Sequence, residues 1–315
     1  SREEDEKMSR LSVVLPAYNE ELMVGKTCRV LHEVLAEAGI SYELVVVDDG
    51  SKDKTWEEIT KAGEEDGNVL GVHFSRNFGK ESAIFAGLQK AKGDYVVMMD
   101  ADLQDPPEYL PKMFEAMNQQ HVDIVGTRRV TRKGEPKIRS FFARQFYKLI
   151  NKFTEVEIVD GARDFRLMTR EVVDSVLSLQ EYHRFSKGIF AWVGYKTVYL
   201  EYENVERVAG ETSWSFWKLF AYAIEGIVAF TVAPLRMATI SGIFVSIIAF
   251  LYMIFVFGKA LIVGDPVAGY PSMVVIILFL GGIQLLSLGI IGEYLSKTYM
   301  ETKKRPKYIV RKKYE

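Results

Sequence analysis

The chain predicts an α/β protein: a mostly parallel sheet with helices on both faces, joined to a C-terminal pair of membrane-spanning helices. Three observations predict it. From Leu11 to about residue 126, short apolar runs alternate with amphipathic stretches, the pattern of parallel strands joined by crossover helices. Three of those runs end in polar clusters: Pro16-Ala17-Tyr18-Asn19-Glu20, Asp48-Asp49-Gly50-Ser51 and Asp100-Ala101-Asp102-Leu103-Gln104. Two uncharged stretches, Met237 to Phe257 and Met273 to Ile291, each match the ~20 residues a helix needs to cross a bilayer core.

Each element has its own signal. Leu11 to Leu15 reads as a first strand stopped by Pro16, and Glu20 to Ala38 as a helix. Strands at Tyr42 to Val47 and Val69 to Phe74 flank a helix at 53–66. A helix at Lys80 to Lys92, a strand at 94–99, a helix opening at Pro106-Pro107 and a strand at Val122 to Gly126 continue the alternation. Proline suits a first helical turn, where its missing N–H costs nothing. A further short strand is expected at 165–169.

The run Val96-Val97-Met98-Met99 carries the most information, because two carboxylates one residue apart come directly after it. Open α/β sheets bind ligands at the carboxyl ends of their strands. Asp100, Asp102 and the amide of Gln104 offer hard oxygens to a divalent cation, Mg2+ or Mn2+, that would also hold a substrate phosphate. The alternative is an acidic strand-to-helix loop in which Asp105 caps the next helix. One helix start needs one cap, so that alternative accounts poorly for Asp100 and Asp102 together.

Other chemistries find little support. Net charge is −2 with 26% charged residues, so bulk charge does not suggest a nucleic-acid partner. No GxGxxG comes after the first strand and there is no Walker A sequence. His32, His73, His121 and His183 are scattered without zinc-ligand spacing. Cys28 is the sole cysteine, so no intrachain disulfide exists.

The second half divides at the membrane. Arg236 precedes the first apolar run, and Lys297, Lys303, Lys304, Arg305, Lys307, Arg311, Lys312 and Lys313 lie beyond the second. The positive-inside rule then puts the soluble domain, both termini and the basic tail in the cytoplasm. From Arg128 to Lys152 nine basic residues face one acid, Glu135, while Phe142, Phe146, Leu149, Ile150 and Phe153 recur at helical spacing. Such a helix can lie in the membrane interface, or be an ordinary amphipathic helix with a solvated basic side. Trp214 to Val232 reads as a second interfacial segment, with Trp214, Trp217 and Phe220 at headgroup level. The expected organisation is a disordered tail at 1–8, a catalytic domain at 9–212, interfacial helices at 213–234, membrane helices at about 237–257 and 271–292 within 235–296, and a basic tail at 297–315.

The three strand-end clusters, in this order, resemble the family 2 glycosyltransferases of GT-A fold, a Rossmann-like architecture, over residues 11 to about 215. The resemblance implies that Pro16, Tyr18, Glu20, Asp49 and Ser51 hold the base and ribose of a UDP-sugar, with Arg76 and Lys80 as basic residues near the nucleotide. It implies that Asp100, Asp102 and Gln104 form the metal and diphosphate site, and that Asp164, preceding strand 165–169, is the acceptor-side acid. The segment Arg207-Val208-Ala209-Gly210-Glu211-Thr212-Ser213-Trp214, with paired membrane helices after it, resembles bacterial polyprenyl-phosphate glycosyltransferases of the bactoprenol glucosyltransferase kind. Dolichyl-phosphate mannose synthases are more distant. Relatives often carry Gly-x-Ser-Lys there; Thr212-Ser213 in its place removes a positive charge and leaves Arg207 as the basic residue for phosphate.

The resemblance implies an inverting transfer of a sugar, glucose first, from a UDP-sugar to polyprenyl (undecaprenyl) phosphate at the bacterial plasma membrane. Asp102, Asp164 and Arg207 would carry catalysis, and Arg128, Arg139, Arg144 and Arg207 would hold the lipid phosphate. A homo-oligomer built through the membrane helices is expected. The alternatives are a processive or other lipid-acceptor enzyme of the same family, a phosphohydrolase with an Asp-x-Asp pair, and a non-catalytic nucleotide-binding membrane protein. Gln180 to Arg184 is one residue too long for the Gln-x-x-Arg-Trp of processive synthases, and Phe185 replaces the tryptophan.

Overall fold

The computed structural model describes residues 10–129, 159, 162–182, 184–202, 233–263 and 269–315. The N-terminal part comprises β1 (Leu11–Ala17), α1 (Val24–Glu37), β2 (Tyr42–Asp48), α2 (Thr55–Glu65), β3 (Val69–Phe74), α3 (Lys80–Lys90), β4 (Tyr95–Met98), α4 (Leu110–Gln120), β5 (Ile124–Arg129), β6 (Ala162–Thr169), α5 (Arg170–Ser178), α6 (Ser186–Trp192) and β7 (Thr197–Tyr202). Two long helices come next, α7 (Ala233–Val263) and α8 (Tyr270–Thr302), and then β8 (Val310–Tyr314).

One sheet holds all eight strands, in the order β7-β5-β6-β4-β1-β2-β3-β8. β1 to β4 run parallel, while β6 opposes β4 and β5, and β8 opposes β3. After β3 the chain returns to the other side of β1 to lay down β4. That reversal opens a crevice at the carboxyl ends of β1 and β4.

The strands read as continuous apolar runs because both faces of the sheet are covered. Leu11, Val13, Leu15, Leu44, Val46, Val97 and Phe165 pack on one face with Leu31 and Leu35 of α1 and Leu110 and Met113 of α4. Val14, Val45, Val47, Val96, Met98 and Met168 pack on the other with Ile84 and Leu88 of α3, Val172 and Val176 of α5, and Ile189 and Phe190 of α6. At the opposite end of the strands, the buried Glu43 carboxylate accepts the Ser12 hydroxyl (2.5 Å) and the Lys92 N–H (2.6 Å) and pairs with Arg10 (3.3 Å). A buried charge needs such donors, and here they lock β1, β2 and the turn before β4 into one register.

The structure extends the expected elements and adds four, the helices α5 and α6 and the strands β7 and β8. β5 continues to Arg129 and β6 begins at Ala162, so Asp164 stands inside a strand rather than ahead of one. β7 pairs with β5 at one edge and β8 with β3 at the other. The charges of Val310-Arg311-Lys312-Lys313-Tyr314 read as a solvated tail, yet lysines are common guards on an edge strand. α8 also runs ten residues past the expected end at 292. The segment between α8 and β8 is anchored: Tyr308 stacks on Phe74 with centroids 4.8 Å apart and donates to Gln89 (2.7 Å), and Lys307 donates to the Gln180 carbonyl (2.9 Å).

α7 and α8 pack side by side, and both contain stretches long and apolar enough to cross a membrane, Pro234–Tyr252 and Phe279–Thr302, with exposed flanks. At 1.5 Å per residue the 33 residues of α8 span about 50 Å, more than the about 30 Å of a hydrocarbon core. Of the interfacial segments expected at 128–152 and 213–234, residues 130–152 and 213–232 lie outside the described residues, while 128–129 belong to β5 and 233–234 open α7.

Helix and sheet approach closely at Gly87 of α3, where a Cβ would lie 2.2 Å from Val14 Cγ1. Gly87→Ala improves helix propensity by about 1 kcal/mol, but Val14 is fully buried and stiff at χ1. The overlap should prevail, with a net loss of about 1–3 kcal/mol. A lower melting temperature in detergent is expected; a higher one would refute the packing argument.

Candidate active site

Three loops at the carboxyl edge are tied together by their own polar side chains. After β2, Asp48 accepts the Ser51 N–H (2.9 Å) on one carboxylate oxygen and meets His73 Nδ1 of β3 (2.7 Å) on the other. Ser51 accepts the Asn19 N–H (2.9 Å), the Asn19 side chain accepts the Lys52 N–H (3.0 Å), and Thr55 accepts the Glu20 N–H (2.8 Å). The 17–20 and 48–55 loops are therefore one unit. Gly50 has φ +67°, and a Cβ there would stand 2.2 Å from the backbone carbon of Arg76. Only glycine permits both that conformation and that contact.

Asp49 is buried, and its two oxygens accept the backbone N–H groups of Phe78 (2.6 Å) and Gly79 (2.9 Å). Burial raises its pKa, and those two hydrogen bonds oppose the rise. Sequence alone assigned Asp49 to the base; in the structure its direct partner is the 78–79 backbone, which it holds against the end of β2. Tyr18 is exposed at the rim, and Pro16 lies half-buried at the end of β1. Arg76 folds over Phe78, 4.1 Å from the ring centroid, and donates to the Asn77 carbonyl (2.8 Å).

The centre of the site is Lys80, the first residue of α3. Its ammonium lies 2.7 Å from Asp100 Oδ1 and 2.7 Å from Asp164 Oδ2. Burial alone would lower the Lys80 pKa, but the two carboxylates outweigh it and raise it. Burial would likewise raise Asp164, yet the charges of Lys80, Lys187 and Arg166 hold it well below the usual carboxylate range. The parallel β4 and the antiparallel β6 thus bring Asp100 and Asp164 to one cation. The expected roles of Lys80 and Asp164 fall on a single ionic cluster.

The loop after β4 is held from two sides. Thr27 of α1, fully buried, donates to the Ala101 carbonyl (2.6 Å). Asp102 accepts the Gln104 N–H (3.1 Å), and Leu103 between them takes φ +55°. Arg163 of β6 reaches the Gln104 amide oxygen and the buried Asp105 carboxylate, each at 3.4 Å. Asp105, a candidate cap from sequence, therefore faces an arginine across the sheet edge.

Asp100 and Asp102 are half-buried at the crevice. Among the described residues no cluster of three or more His, Cys, Asp or Glu side chains forms a metal-binding group. Two carboxylates suit a cation that completes its shell with phosphate oxygens and water, as Mg2+ does, rather than one caged by protein alone. The donor set fits in that sense, with the Gln104 amide oxygen turned toward Arg163.

Of the acceptor-side residues, Arg128 is exposed on β5 opposite Ala162 of β6. Arg139, Arg144 and Arg207 lie outside the described residues. Sequence reasoning missed Thr27, Arg163, Arg166 and Lys187. Arg166 had a signal: two residues after Asp164 in a strand, it must share that face. Thr27 and Lys187 had none, because their partners lie on other elements.

The chain is similar to known proteins along nearly its whole length. The profile described as Glycosyl transferase family 2 matches residues 12–177. An uncharacterized glycosyltransferase of Synechocystis is 43% identical over 95% of this chain and 94% of its own length. The bactoprenol glucosyl transferase of Shigella phage SfII is 43% identical over 96% of this chain and 98% of its own, and the prophage bactoprenol glucosyl transferase homolog of Escherichia coli K12 is 42% identical over 96% and 99%. With strand-end acids, ionic cluster and profile all falling on the same half of the chain, the protein belongs to glycosyl transferase family 2.

Proposed function

We propose that this chain transfers glucose from UDP-glucose to a polyprenyl phosphate at the cytoplasmic face of a bacterial plasma membrane, with inversion at the anomeric carbon. The observation that carries the reading is the Lys80 bridge between Asp100 and Asp164. It joins a diphosphate-side carboxylate to an acceptor-side carboxylate within one cleft. The names of relatives that match almost end to end, bactoprenol glucosyl transferases, support the sugar and the lipid.

In this reading Tyr18 stacks on the base at the rim, while Pro16, Glu20, Asp49, Ser51 and Arg76 shape the nucleoside end. Asp100 and Asp102, with Gln104 beside them, would hold a divalent cation, which when bound supplies neutralisation of the charge growing on the leaving diphosphate. The attacking lipid phosphate oxygen forms the new bond to the anomeric carbon while the bond to UDP breaks. Phosphate monoesters lose their second proton near pH ~6, so the nucleophile needs no strong base. Asp164, kept ionised by its cationic neighbours, is a poor proton acceptor at neutral pH and instead orients the sugar and acceptor. Positioning and electrostatic stabilisation then supply the rate.

The membrane arrangement belongs to the same proposal. β8 pairs with β3 of the catalytic sheet after two helices long enough to cross a bilayer, which supports an in–out–in hairpin with both termini cytoplasmic. Gly281, Gly282, Gly289 and Gly292 have open space beside them, room for helices of further copies to approach closely. Arg128, Arg139, Arg144 and Arg207 remain assigned to the lipid phosphate by sequence.

Asp102→Asn should lower transfer to undecaprenyl phosphate by at least about 100-fold, the scale of removing one charge-stabilising group, with the melting temperature kept. Full turnover of the wild type in excess chelator would count against the cation. Arg207→Ala should raise the acceptor KM with UDP affinity largely intact; equal loss of both would indicate a folding defect instead.

A further inference from the structure

Beside Asp164 lies a cavity of about 270 Å³ that the nucleotide and metal roles leave unused. Arg166, Lys187, Phe190, Tyr195, Thr197 and Tyr199 line it. Strand alternation places Asp164 and Arg166 on the same face of β6, the face that α3 and α6 cover. Arg166 is only 5% exposed, its guanidinium lies 4.2 Å from the Phe190 ring centroid, and Nη2 donates to the Arg163 carbonyl (3.1 Å). Its buried Nε has no hydrogen-bond partner. A buried charged donor without an acceptor is costly, and native folds rarely leave one without a reason.

Lys187 supplies a second cation in the first turn of α6. Its position is set by Glu81 of α3, whose carboxylate accepts the Ser186 hydroxyl and the Ser186 N–H (3.2 Å). Lys187 makes no hydrogen bond or ion pair among the described residues. The charges it feels are Asp164, Arg166, Lys80 and Arg163, with burial pressing its pKa down. Glu81 is occupied by Ser186, the Tyr195 hydroxyl by Ser175 (2.7 Å) and the Thr197 hydroxyl by the Tyr195 carbonyl (3.1 Å). Arg166 Nε and the Lys187 ammonium are thus donors in need of an acceptor, in a pocket with more positive than negative charge.

We infer that Arg166 and Lys187 seat the phosphate monoester of the acceptor, immediately beside Asp164. The assignment deepens the proposed function and rests on it for the identity of the lipid. A guanidinium and an ammonium together match a dianionic phosphate. The Phe190 and Tyr199 rings extend the seat with apolar surface, which suits the first isoprenoid carbons of a prenyl phosphate and gives free phosphate nothing to bury. Arg166 stands on β6 and Lys187 on α6, and they add to the arginines at 128, 139, 144 and 207 that sequence assigns to the same phosphate.

The test uses the full-length chain in detergent with a divalent cation. For Lys187→Met the KM for undecaprenyl phosphate should rise at least tenfold while UDP affinity, by calorimetry, stays within twofold; Lys187→Arg should restore the KM to within threefold. An unchanged acceptor KM, or parallel loss of UDP and acceptor, overturns the assignment and leaves Lys187 a counter-charge to Asp164. Binding is measured separately by calorimetry with farnesyl phosphate, farnesol and inorganic phosphate. Farnesyl phosphate should bind the wild type at least tenfold more tightly than Lys187→Met, and farnesol should bind both alike. Inorganic phosphate binding as tightly as farnesyl phosphate would make the pocket a plain anion site and overturn the prenyl assignment. A wild type that binds farnesyl phosphate through Lys187 but transfers no glucose would sink the proposed function while sparing the seat.

Discussion

An ammonium held between two carboxylates organises this molecule. Lys80 is delivered by the first turn of α3, Asp100 by the end of β4 and Asp164 by the antiparallel β6. Without the cation, the two acids would repel each other in a cleft of reduced dielectric, where charges interact more strongly than in water. With it, Asp164 is held well below the usual carboxylate range, and the end of the parallel sheet is joined to the strand that reverses direction. Such a cluster costs desolvation, and the two short contacts to Lys80 offset it.

The nucleotide side shows the complementary strategy of fixing loops with uncharged donors. Backbone N–H groups of residues 19, 20, 52, 78 and 79 find side-chain acceptors across the loop junctions, and that of Ser51 finds Asp48 in its own turn. Asp49 and Gly50 act as a pair: the aspartate draws the 78–79 backbone inward, and the glycine leaves room for Arg76 to pass. Loops set before the ligand arrives need little reorganisation on binding, and a preorganised site gains rate and affinity from that.

At the opposite edge, β8 and Tyr308 join the C-terminal end of α8 to the catalytic sheet. β8 thereby becomes the sheet edge, and its lysines discourage unwanted strand pairing. The same contacts fix how the apolar hairpin leaves the catalytic half. In a lipid-acceptor enzyme, that geometry determines how close the cleft comes to the headgroup plane.

Local sequence determined what local physics controls. Apolar runs of the right length identified β1 to β5 and the two membrane-length helices, and the strand-end polar clusters identified Asp48, Asp49, Asp100 and Asp102 as residues of one edge. Tertiary structure decided the rest. Strand direction at β6 depends on pairing with β4 and β5, which no local pattern encodes, so the acceptor-side acid implied at Asp164 read as lying ahead of a strand rather than inside one. The basic residues of β8 looked like a solvated tail because an edge strand leaves its lysines in water. Lys80, Arg163, Arg166 and Lys187 are ordinary charged residues in the sequence. Only packing between α3, β6 and α6 brings Lys80, Arg166 and Lys187 to Asp164 and sets Arg163 against Asp105, because electrostatic partnership depends on distance in space and not along the chain.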